Sequence, residues 1–70
     1  MEDWEKFVSD GERLLRVLDG LPDRAADFVS SVRDRVEGMI EWARDNEHVT
    51  DRMEDALANM RDGAARWLQY

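Results

Sequence analysis

The chain has 70 residues, no cysteine, and a net charge of -7 from 17 acids against 10 bases. That length suits one domain, and the missing cysteines exclude a disulfide framework or a thiolate metal site. The acid excess argues against a nucleic-acid backbone binder and against attachment to anionic membranes, because both need a basic surface.

The first segment, 2–19, reads as an amphipathic helix. Trp4, Phe7, Gly11, Leu14, Leu18 and Leu21 step by three and four, the spacing of one helical face. Val8, Leu15 and Val17 widen the stripe. The opening residues, Met-Glu-Asp-Trp-Glu, are acidic and lack a signal-peptide core, so the expected address is cytoplasmic. A break follows at Asp19-Gly20-Leu21-Pro22. Gly20 suits a helix C-terminus and Pro22 suits the first position of the next helix.

The second segment, 22–46, carries Ala25, Val29, Val32, Val36, Met39 and Ala43 at steps of four and three. Phe28, Ile40 and Trp42 flank that seam, and Gly38 lies beside it, where it would either permit close packing of another chain or simply be tolerated. Helix 2 is the longest, so its end is expected to overhang helix 1 and to expose Trp42 or Ile40. The second break, Asp45 to Thr50, holds the only histidine, His48. Thr50 is a good N-cap for the third segment, 50–69, with Asp51 and Glu54 beside the positive helix end. There Val49, Met53, Ala56, Met60, Gly63 and Trp67 repeat the pattern, with Leu57 and Ala64 alongside.

The expected fold is an all-α, antiparallel three-helix bundle with helices at about 2–19, 22–46 and 50–69, because short connections make sequential helices antiparallel. One alternative is a hairpin plus a helix that completes its packing only in a dimer. Gly11 and Gly63 fall on seams, which points to close backbone approach inside the bundle. Trp4 and Trp67 are expected in the core. Glu2 with Lys6, Glu12 with Arg16, and Asp62 with Arg66 are spaced for ion pairs along one helix face.

The acids are ten Asp and seven Glu, and the bases nine Arg and one Lys. Much Asp with little Lys resembles the composition of proteins from salt-loving microbes, although a GC-rich genome also favours Arg over Lys. Catalytic and metal motifs are incomplete. His48 with loop carboxylates falls short of a zinc set, and the calcium-loop spacing is missed. Carboxylate pairs such as Glu37 with Glu41 and Asp51 with Asp55 match a solvated acidic face. Ser9, Ser30, Ser31 and Thr50 have no paired base beyond His48. No enzyme activity, cofactor or metal is expected.

Two functions remain. One is an interaction module that binds a protein partner or itself, with a two-fold homodimer the commonest arrangement. Its expected interface is Phe28, Arg35, Ile40 and Trp42 on helix 2, with Leu68 as a second exposed candidate; the alternatives are that Phe28 and Trp42 close the edge of the bundle's own core and that Leu68 belongs to a fraying terminus. Trp and Arg are enriched at binding hot spots. The other is an acidic decoy, in which Asp34, Glu37, Glu41 and Asp45 mimic phosphates and occupy a basic protein's nucleic-acid site.

Overall fold

Three helices and no strand make up residues 2–68, the part of the chain that the computed structural model describes. Helix α1 spans Asp3–Asp19, α2 spans Ala26–Asn46, and α3 spans Asp51–Leu68. A single 3-10 turn, Asp23–Ala25, leads into α2. The helices pack against one another as an all-α three-helix bundle, about 36 × 18 × 18 Å.

The ends of these helices follow local chemistry. Glu2 sits just before α1, and its N–H donates to Glu5 Oε1 at 3.4 Å. Gly20 ends α1 with φ -93, so its freedom in the left-handed region is unused, and the Gly20 N–H closes a tight turn onto Val17 O. Pro22 stands one step earlier than expected. Its extended backbone precedes the 3-10 turn, and its carbonyl accepts from the Ala25 N–H at 2.9 Å. At the far end of α2 the left-handed residue is Glu47, with φ 47 and ψ 46. The His48 N–H then reaches back to Ala43 O at 3.3 Å, the six-to-one bond of a Schellman cap. Thr50 caps α3 as its side chain predicts, with Oγ1 accepting from the Met53 N–H at 3.1 Å.

One core runs the length of the bundle. Phe7, Val8, Leu14 and Leu18 come from α1, Val32, Val36, Ile40 and Ala43 from α2, and Leu57, Met60 and Ala64 from α3. Among the described residues no polar or charged side chain is buried. The predicted seams hold in α1. In the 3-10 turn and α2 the seam holds at Ala25, Val32, Val36 and Ala43, with Ile40 buried in place of Met39, and in α3 Leu57 and Ala64 are buried beside Met60 while Ala56 and Gly63 are only partly so. Trp4 and Trp67, expected in the core, are half-buried.

α1 and α2 form the close pair, and α3 lies further from both. Gly11 is one cause of that intimacy. A Cβ built there would stand 2.9 Å from both Cγ1 and Cδ1 of Ile40. Gly63 plays a similar part for Phe28, whose ring edge lies 3.1 Å from the position a Cβ would take. In both places a side chain seats against the glycine, rather than one backbone against another.

Two ion pairs tie α1 to α2, Asp19 with Arg33 and Glu12 with Arg44. Glu12 therefore reaches across to the neighbouring helix, not along its own face to Arg16. The Asp19 carboxylate raises the Arg33 pKa, first by accepting its hydrogen bond and then by charge attraction.

Candidate interaction surface

The five residues expected at an interface separate into different environments. Ile40 is only 6% exposed, seated against Gly11, and belongs to the core. The absence of a side chain at Gly11 makes room for it on the α1 side of the seam. Phe28 is half-buried and packs on Trp67 with ring centroids 6.3 Å apart. The Arg24 guanidinium lies 5.7 Å from the centre of the same indole, within cation–π range. These three close the end of the bundle where α2 begins and α3 finishes.

Trp42 lies near the opposite end of α2 and is 42% exposed. The expected overhang does not account for it. Glu2, Asp3 and Trp4 at the start of α1 border one shallow cleft with Glu47, His48 and Val49, so α1 reaches the end of α2. Trp42 is exposed because it points away from the α2 seam. Its ring lies 6.2 Å from that of His48, and its carbonyl accepts from Asn46 Nδ2 at 2.8 Å.

Leu68 is the most exposed large apolar residue of those described, at 60%. It borders a groove between α1 and α3 with Leu14, Val17 and Ala64, and Arg13 and Arg61 stand at the edges. This groove holds about 240 Å³ and is separate from the Trp42 surface.

Arg35 remains on the outward face of α2, exposed and in no ion pair with a described residue. Around it lie exposed Ser31, Asp34, Gly38, Glu41 and Asp45. Gly38 is unlike Gly11 and Gly63: a Cβ added there would meet nothing within 4 Å. An interior helical glycine costs about 1 kcal/mol relative to alanine. Nothing inside the monomer offsets that cost at Gly38. The sequence marks this glycine, but its open surroundings are visible only when the helices are assembled.

Among the described residues no three of His, Asp and Glu come together as a group able to hold a metal ion. No helix of the described residues is long and apolar enough to cross a membrane. Comparison of the chain with protein-family models, curated proteins and solved structures finds no match.

Proposed function

We propose that this protein is a small non-catalytic interaction module whose contact surface is the outward face of α2. The observation that carries the reading is the pairing of Gly38 with Trp42, one turn apart on the same exposed face. A bare glycine lets another backbone approach closely, and an exposed tryptophan supplies the large apolar contact that hot spots use. Arg35, one turn to the other side, adds a planar cation suited to carboxylate or aromatic partners.

Trp42→Ala tests the reading. Trp42 is 42% exposed in the monomer, so its replacement should lower Tm much less than loss of a core side chain would. Association, followed by sedimentation or titration, should weaken by about 2 kcal/mol, the threshold of a hot spot. A variant that unfolds, or that binds as tightly as the native chain, removes Trp42 from the interface.

The exposed carboxylates Asp34, Glu37, Glu41 and Asp45 line the same helix and support the decoy as a second reading. The decoy requires binding to a basic protein that falls steeply as salt is raised.

A further inference from the structure

We propose that the groove between α1 and α3 is a second docking surface, and that its occupant is an acidic amphipathic helix of another protein, with a carboxylate one turn from a leucine-sized side chain. This groove lies across the bundle from the outward face of α2, so it stands or falls apart from that reading.

Helices α1 and α3 run side by side in the same direction. Near the start of α1, Lys6 and Phe7 line their crease with Glu54 and Leu57. Further along, Leu14 and Val17 line it with Ala64 and Leu68. Leu14 and Ala64 are buried and form the floor, Val17 is half-buried, and Leu68 is 60% exposed at the far end. Apolar side chains thus continue along this line from the core to solvent.

Charge selects what can lie there. The chain is acidic overall, at -7, and its other creases reflect that. Between α1 and α2, Glu12, Glu37, Glu41 and Asp45 stand against Arg44. At the start of the α1–α3 crease, Asp3, Asp10 and Glu54 stand against Lys6. The groove beside Leu68 reverses the balance, with Arg13 on one wall and Arg61 on the other against Asp10. Both arginines are exposed, and among the described residues neither is in an ion pair. At physiological salt the screening length is about 8 Å. A carboxylate seated in the groove therefore feels these two guanidiniums more than the distant acids.

The order of residues sets the pattern of the partner. From Arg61 to Leu68 is about 10 Å along α3, and from Arg13 to Val17 about 6 Å along α1. Cations come first and apolar groups follow. Residues four apart share one face of a helix, about 6 Å along its axis. A partner helix can therefore set a carboxylate on the arginines and a leucine between Val17 and Leu68. Docking of an apolar helix face into a groove is a common mode of recognition, and here it adds a fourth helix to the bundle. A small amphiphile of the same pattern fits less well. Sites for small ligands bury most of the ligand, whereas Arg13, Arg61, Ala65 and Leu68 are all exposed and leave this groove open along its length.

The test is a titration of the full, isotope-labelled chain with a synthetic helical peptide of about 15 residues, built on alanine and glutamine, with two glutamates and a leucine one turn beyond them. Backbone amide resonances report where it binds. Shifts are expected at Arg13 to Val17 and at Ala64 to Leu68, with a Kd of about 0.1–1 mM, and none at Gly38. Alanine in place of the peptide's leucine should weaken binding about tenfold, and lysine in place of its glutamates about tenfold as well. Arg13→Glu and Arg61→Glu should each weaken it about threefold, and together about tenfold. Both positions are exposed, and thermal melting alongside confirms that the variants fold. Trp42→Ala should leave the peptide's affinity unchanged, whatever it does at the α2 face. Groove amides that do not move at millimolar peptide overturn the proposal. Equal binding of the lysine peptide overturns the acidic partner. Shifts confined to Gly38 and Trp42 place the partner on α2 and overturn the groove. Groove amides that broaden with protein concentration in the absence of peptide, and sharpen in Arg61→Glu, make a second copy the occupant and overturn the outside partner.

Discussion

Gly11 and Gly38 are both interior to helices, yet their surroundings give opposite signs to one substitution. Alanine gains about 1 kcal/mol of helix propensity at either position. At Gly11 the new methyl would press on Ile40 Cγ1 and Cδ1 at 2.9 Å, and overpacking a core costs about 1–3 kcal/mol. Gly11→Ala should therefore destabilise by about 1 kcal/mol. Gly38→Ala meets open space and should stabilise by about 0.5–1 kcal/mol. Urea unfolding at concentrations where the chain is monomeric measures both, and equal effects would contradict this account of the packing. Glu47 supplies a second test. Its left-handed backbone, φ 47, strains any residue with a Cβ and suits glycine. Glu47→Gly should raise stability by about 0.5–1 kcal/mol, or roughly 3–6 °C in Tm for a domain of this size. Glu47→Gln is the control for charge, since an acid near a helix C-terminus is itself unfavourable. If glutamine gives the whole gain, backbone strain is not its source.

At the scale of the element, α3 depends most on its own ends. It stands further from its neighbours than α1 and α2 stand from each other, so less packing offsets a fault in its first turn. Thr50 Oγ1 satisfies the Met53 N–H there. Thr50→Ala should cost about 1 kcal/mol, the usual loss for a missing N-cap, while Thr50→Ser should keep nearly all the stability. Thermal melting of the two variants together separates the cap from the lost methyl group. The α1–α2 pair is different in kind. Its ion pairs, Asp19 with Arg33 and Glu12 with Arg44, lie at the surface, where such pairs contribute about 0–1 kcal/mol. The seating of Ile40 against Gly11 is the larger effect.

Over the whole molecule, charge opposes compactness. Seven excess negative charges on 70 residues repel one another in the folded state, and a chain this short buries only about 60% of its unfolded surface. Chloride salt should raise Tm from low to molar concentration, because screening weakens the net repulsion. The two surface ion pairs would be screened too, but their small contribution leaves the sign unchanged. A flat or falling Tm across that range would show that local pairing outweighs net charge. The raised pKa of Arg33 adds no pH dependence near neutrality. Its stabilising effect is complete below the unfolded value and is lost only as pH climbs through the folded one, in strongly alkaline solution.

Local patterning determined the number of helices, the two breaks, the Thr50 cap and the place of Gly11 on the inner seam, though not that a side chain rather than a second backbone would seat against it. Each depends on residues within a turn or two of one another, so each is legible before the chain is assembled. The predicted bounds of 2–19 and 22–46 lie close to Asp3–Asp19 and to the 3-10 turn with α2 that ends at Asn46. In the third segment, 50–69, Thr50 is the cap before Asp51 and residue 69 lies outside the described residues. Only the tertiary structure decided which residue of each stripe is central. Successive residues on a helix differ by about 100°, as wide as the apolar stripe itself, so the positions of two neighbouring helices must choose between Ile40 and Met39. The same choice sends Phe28 to Trp67 and leaves Trp42 in the open. The partners of Glu12 and the strain at Glu47 were hidden for a related reason. Many acids and bases satisfy a spacing rule equally well, and a left-handed turn at glutamate leaves no mark in sequence. Arg35 and Trp42 were visible as candidates, but the open space at Gly38 that joins them into one face exists only once α1 and α3 occupy the other side of α2.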